Sequence, residues 1–231
     1  MERLIAALLG ALALAQPFDI YAAQAWTEGT HYVLLAPVQH TGVPAGKVEV
    51  MEVFSYGCVA CNRFQPIVEK LKESLPANAQ MVYLPASFNS SEDWPMFQRA
   101  YLTAKTLGIS ERTHQAMFDA IWKTGELAIS DPATNRLKIP MPTIEDAARL
   151  YARESGIRAE TFLATAKSFS VDLKIRVADA QIVAMQVEST PTFVVNGKYR
   201  VLLDSLTSTD RPFADQLIEL INYLVAKESH G

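Results

Sequence analysis

The chain's only two cysteines, Cys58 and Cys61, lie three positions apart, and this spacing constrains the fold more than any other feature. A structural bridge gains its leverage by closing a long loop in the unfolded chain. A Cys-x-x-Cys bridge closes almost nothing, so its worth lies in being made and broken. Residues 47 to 56 are rich in β-branched and aromatic side chains and run directly into Gly57-Cys58, which reads as a strand followed by a tight turn. From Cys58 the period changes: Cys61, Phe64, Ile67, Val68 and Leu71 recur at threes and fours, the spacing of a helix face, and Pro76 closes the segment near residue 75. Pro66 removes one backbone donor inside that helix and should kink it. A second apolar run at 81–86 completes a strand-helix-strand unit, for which parallel strands and a right-handed crossover are expected.

Between about residues 89 and 188 nearly every segment has helical period. Phe97, Tyr101, Ala104 and Leu107 mark one helix. His114, Met117, Phe118, Ile121 and Trp122 mark the next, which starts after Ser110 and is closed by Gly125. Thr143 with Asp146 resembles a capping box opening a helix that Gly156 should stop. Helical stretches at 159–168 and 171–187 follow. The prolines 132, 140 and 142 mark the clearest internal loop. Strand character returns at Pro191-Thr192-Phe193-Val194-Val195 and again from Lys198 to Leu203. The intervening Asn196-Gly197 is a strong signal for a two-residue hairpin, since both residues accept positive φ. An amphipathic helix with Phe213, Leu217, Leu220, Ile221 and Leu224 ends the chain. The expected architecture is an α/β domain of residues 26–88 and 189–231, interrupted by an inserted helical domain at 89–188.

The composition, 49% hydrophobic with a formal net charge of -4, allows a sizeable core and offers no cationic stripe to neutralise phosphates. Nucleic acid is not an expected partner. Leu4 to Ala15 is an apolar run too short for the ~20 residues of a membrane span, and Ala23-Gln24-Ala25 offers the small-x-small pattern of a signal-peptidase site. Residues 1–25 are therefore read as a cleavable signal peptide and the mature chain as exported. Ala13-Leu14-Ala15 is a competing cut site, and a buried or anchoring N-terminal helix is the alternative.

Cys58 falls where the first N–H groups of a helix are unpaired and its dipole presents partial positive charge, so a thiolate is stabilised there. The thiolate is the nucleophile, and a low pKa also makes it the better leaving group, which points to Cys58 as the exchanging sulfur. Cys61, on the apolar stripe, should be more buried and have the higher pKa. The same spacing also suits half of a zinc site, but His31, His40, His114 and His230 show no paired spacing to complete four ligands. Copper(I) binding through both thiolates is a further alternative. Glu52, six residues before Cys58, shares a strand face with Val48, Val50 and Phe54. If that face is buried, its carboxyl is a candidate proton relay to Cys61. If not, it is an exposed strand carboxylate, as Glu49 on the opposite face is expected to be. Thr190-Pro191 is read either as an ordinary first strand position or as a cis-proline whose neighbouring backbone pairs with an extended substrate.

These residues resemble the DsbA family of periplasmic disulfide oxidases, within the thioredoxin-like superfamily. The resemblance spans Glu28-Gly29-Thr30-His31-Tyr32, the run Met51 to Cys58, and the segment Thr190 to Tyr199. It implies a thioredoxin-like fold with an inserted helical domain. Cys58 would be the attacking cysteine, Cys61 its partner in a redox-active disulfide, Glu52 the acid beneath them and Pro191 the cis-proline. No metal or other cofactor is implied. The implied partners are reduced secreted proteins and a DsbB-type membrane oxidase, the location is the periplasm and the expected state is a monomer. The chain departs from the best-known members in three places. Val59-Ala60 stands where Pro-His is found between the cysteines, so a thiolate-stabilising histidine is missing. Thr190 stands where valine is common before the cis-proline, which makes Val59, Ala60 and Thr190 candidate tuning positions. Tyr83 stands near the expected place of a lysine that accompanies the buried acid. A periplasmic reductase or isomerase on the same fold, and a non-catalytic copper(I) or thiol-binding protein, are the alternative functions.

Overall fold

A computed structural model describes residues 26–131, 133–206 and 210–229; the signal-peptide reading and Pro132 fall outside them. β2 (Val48–Phe54) lies inside a five-stranded sheet that also contains β1 (Tyr32–Leu34), β3 (Ala79–Pro85), β4 (Thr192–Val195) and β5 (Tyr199–Val201), in the order β1-β5-β4-β2-β3. β2 and β3 are parallel, as expected for a strand-helix-strand unit, and the other pairs are antiparallel. α1 (Val59–Ser74) makes the crossover and continues through Pro66. It packs against α7 (Phe213–Ser229), which also lies on β2 and β4.

The helical segment contains α2 (Trp94–Thr106), α3 (Ser110–Trp122), α4 (Ile144–Ser155), α5 (Ala159–Ala166) and α6 (Phe169–Ala184). α2 is its hub, touching each of the other four and β3. The caps follow local chemistry: Thr143 and Asp146 form a complete capping box on α4, Gly156 ends that helix at φ 76°, and Ser168 caps α6. Edge-to-face and tilted ring contacts among Phe54, Tyr56, Tyr83, Tyr101, His114 and Phe118 join the sheet to the helices. These elements form the α/β, thioredoxin-like fold with helices inserted between the strand-helix-strand unit and the β4-β5 hairpin.

Three details differ from the sequence reading. Every residue of β2 is buried, including Glu49, which is 2% exposed rather than solvated. A central strand flanked by helices is covered on both faces, and alternation then loses its meaning. Glu49 keeps a partner there by accepting the Gly42 N–H at 2.7 Å. β1, too short to show a period, adds an edge strand through antiparallel pairing with β5. The Asn196-Gly197 turn has positive φ at both residues and is closed by Lys198 N–H to Val195 C=O at 3.0 Å. The register pairs Val195 with Tyr199, so the loop is longer by one residue than a two-residue hairpin.

Candidate active site

Cys58 is the N-cap residue of α1, with extended backbone (φ -84°, ψ 116°), and its sulfur accepts the Cys61 N–H at 3.4 Å. The approach is fixed by a turn in which the Cys58 N–H donates to Ser55 C=O at 3.1 Å. Gly57 is required in that turn because a Cβ there would lie 2.7 Å from the Trp94 indole. Trp122 secures the same segment by donating its indole N–H to Tyr56 C=O at 2.8 Å. Both cysteines are free thiols. Cys58 retains a small exposure of 6%, whereas Cys61, one turn inside, has none.

The environments push the two thiols in opposite directions. The Cys61 thiol donating to Cys58, with further help from the Thr190 side chain and the N–H groups of Cys61 and Ala60, lowers the Cys58 pKa to about 6 against the opposing effect of burial. Thr190 Oγ1 is enclosed and makes no hydrogen bond at ordinary distance among the described residues. Burial, the Cys58 sulfur and the nearby Glu52 raise the Cys61 pKa far above that of a free thiol. Val59 is half exposed and contributes no side chain to the sulfur, so between the cysteines stabilisation comes from backbone N–H groups.

Glu52 is fully buried beneath this pair, and neither carboxyl oxygen has a hydrogen-bond partner among the described residues. Burial first, then the charges of Cys58 and Glu69, raises its pKa to about 8, so it carries a proton at neutral pH. Tyr83 is its register partner across β3 and Phe193 across β4. A tyrosine therefore occupies the position beside the acid, and its own hydroxyl pKa is raised by burial and by Glu52. Behind it His114 packs at a tilt against the Tyr83 ring, with centroids 4.4 Å apart, and shares a 3.0 Å hydrogen bond with the Tyr56 hydroxyl. Burial holds His114 neutral, its pKa lowered to about 3.

From the far end of the sequence, the Thr190–Pro191 peptide is cis and leads into β4. The Cys58 sulfur lies 3.4 Å from the Thr190 carbonyl oxygen, to which it donates when protonated. The fold thus brings Cys58, Cys61, Glu52, Thr190 and Pro191 into one neighbourhood. Beside Pro191 a cavity of about 750 Å³ opens, lined in part by Phe64, Phe213, Leu203 and Arg200. Sequence reading missed these lining residues and the Gly57–Trp94 contact, because they come from distant segments with no shared motif.

A thioredoxin family model matches residues 37–209. The thiol:disulfide interchange protein DsbA of Pseudomonas aeruginosa is 34% identical over 96% of this chain and 95% of its own length. The chain belongs to the DsbA family. A DsbA of Pseudomonas syringae is also 34% identical, over 86% of each chain. The crystal structure of P. aeruginosa DsbA superposes with a TM-score of 0.69 at 33% identity, covering 88% of this chain and 94% of that one. That of Xylella fastidiosa DsbA gives 0.71 at 30% identity, covering 87% and 96%. Membership of the DsbA family makes the protein a protein dithiol-disulfide oxidoreductase.

Proposed function

We propose that the protein is a periplasmic oxidase that introduces disulfide bonds into exported proteins through the Cys58-Val59-Ala60-Cys61 pair. The observation that carries this reading is the opposed placement of the two thiols: Cys58 caps α1 and accepts the Cys61 N–H, which favours its thiolate, while Cys61 is fully enclosed behind it, which favours its protonated form. A client thiolate attacks Cys58 Sγ of the oxidised pair. The bond to Cys61 breaks, and Cys61 leaves with the electron pair and takes a proton, for which the protonated Glu52 is the nearby donor. A second client thiolate then attacks the client sulfur of the mixed disulfide and expels Cys58 as a thiolate. The client gains one bridge and the protein two electrons, which a DsbB-type membrane oxidase removes. Stabilising the Cys58 thiolate favours the reduced protein, and that is what makes the pair oxidising.

The Thr190 carbonyl, next to the Cys58 sulfur, is in place to receive the backbone of an extended client segment as an added strand would. Val59, Ala60 and Thr190 are proposed to set the redox poise, and Pro191 to shape the client site. Replacing Cys58 with Ala abolishes oxidation of a reduced, unfolded client while leaving the fold intact by circular dichroism. Full retention of oxidase activity in Cys58→Ala would overturn the assignment.

A further inference from the structure

Arg200 is the one charged residue of β5, and it sits between Tyr199 and Val201, both buried. It lines the cavity beside Thr190 and Pro191, together with Ser189, Thr192 and Asp204. Its Nε is enclosed by protein and has no hydrogen-bond acceptor among the described residues. Among the described residues no carboxylate lies within ion-pair distance of its guanidinium, Asp204 of the same cavity included. An enclosed guanidinium donor left unpaired is costly, and the fork of Nε and Nη matches the paired oxygens of a carboxylate or a phosphate, of which an unmodified polypeptide carries only the carboxylate on its side chains.

The place of Arg200 relative to the sulfur follows from the sheet. Arg200 pairs with Val194, three residues beyond Pro191 on β4. With about 3.4 Å per residue along a strand and about 4.8 Å between strands, its backbone is roughly 11 Å from that of Pro191. A client strand whose cysteine faces Cys58 covers that distance in roughly two to four residues.

Resting on the thiol-exchange reading above, we propose that Arg200 is a specificity residue: the groove selects client segments that carry an acidic side chain two to four residues from the reacting cysteine. Phe64, Leu203 and Phe213 supply the apolar floor for the intervening side chains. Charge complementarity at Arg200 therefore narrows a surface whose other lining side chains are apolar or small and hydroxylic, apart from Asp204.

The test uses the oxidised protein and synthetic single-cysteine peptides. Asp is scanned at two, three and four residues on either side of the cysteine, with Asn in its place as the neutral reference. A peptide carrying its Asp eight residues away controls for net charge. The readout is the second-order rate at which each peptide opens the Cys58–Cys61 disulfide, expressed as the Asp/Asn ratio. At one or more positions the ratio is expected to be about ten at low salt, falling towards one in Arg200→Gln and staying above one in Arg200→Lys. Because the ratio is internal to each variant, a loss of folded fraction does not alter it. A ratio near one at every position in the parent protein, or a preference that persists in Arg200→Gln, overturns the proposal. If even the neutral peptides leave the disulfide unopened, the exchange reading itself fails, and with it this inference.

Discussion

Cys58 should react with a signature that reverses as pH is raised. With its pKa lowered to about 6, roughly 90% of Cys58 is thiolate at pH 7. A free cysteine, with a pKa of about 8.5, is only about 3% thiolate there. Each thiolate at Cys58 is, however, less nucleophilic. A pKa lower by about 2.5 with a Brønsted coefficient of 0.4–0.5 reduces its intrinsic rate roughly thirteenfold. The reduced protein and a reference cysteine peptide are therefore compared in attack on a small neutral disulfide. At pH 5.5 the thiolate fractions are about 24% and 0.1%, so Cys58 should react about twentyfold faster. At pH 8.5 the ratio inverts, and Cys58 should be about sevenfold slower, with the crossover near pH 7.4. The rate profile should be followed by mass spectrometry, which assigns the adduct to Cys58 rather than Cys61. A Cys58 rate that keeps rising with an apparent pKa of 8.5 or more would refute the claim that the helix terminus and Cys61 hold this sulfur ionised.

Three other outcomes follow from the same environments. Glu52 holds its proton more tightly in the folded state than in the unfolded chain; the stability this brings is complete below about pH 4.5 and is lost as pH rises through about 8. Glu52→Gln should therefore match the parent within about 1 kcal/mol at pH 4 and exceed it by about 4 kcal/mol at pH 8 in denaturant unfolding; a variant less stable at pH 8 contradicts the buried-acid assignment. Gly57→Ala places a Cβ against the Trp94 indole and should cost about 1–3 kcal/mol, read from the shift in urea midpoint, whereas an unchanged midpoint means that the turn relaxes freely. Cys61→Ser should keep a hydroxyl donor to the Cys58 sulfur and so keep its pKa low, while Cys61→Ala raises it. Ultraviolet thiolate absorbance across pH separates the two, and equal titration of both variants would remove Cys61 from the stabilising set.

The strand, the turn and the start of α1 are legible in the sequence because the apolar period changes at Cys58, and the caps at Thr143 and Gly156 are legible because they depend on local chemistry. Glu49 is misjudged for a reason that applies to any central strand: once helices cover both faces, inward and outward positions no longer differ in polarity. β1 offers three residues and takes its identity from its partner β5. The groove beside Pro191 is harder still to read, since Phe64, Arg200 and Phe213 come from α1, β5 and α7 and meet only through tertiary packing. Tyr83 is placed near Glu52 by the family resemblance, but the His114 ring tilted against it arrives from α3 across the helical segment.

The central claim is that this environment favours the reduced, ionised form of Cys58 enough to make the pair an oxidant. Equilibrating the protein with a redox buffer of known potential tests it most directly, with the dithiol fraction read by intrinsic tryptophan fluorescence. The account predicts a reduction potential less negative than about −200 mV, whereas a value nearer the about −270 mV of thioredoxin would contradict it.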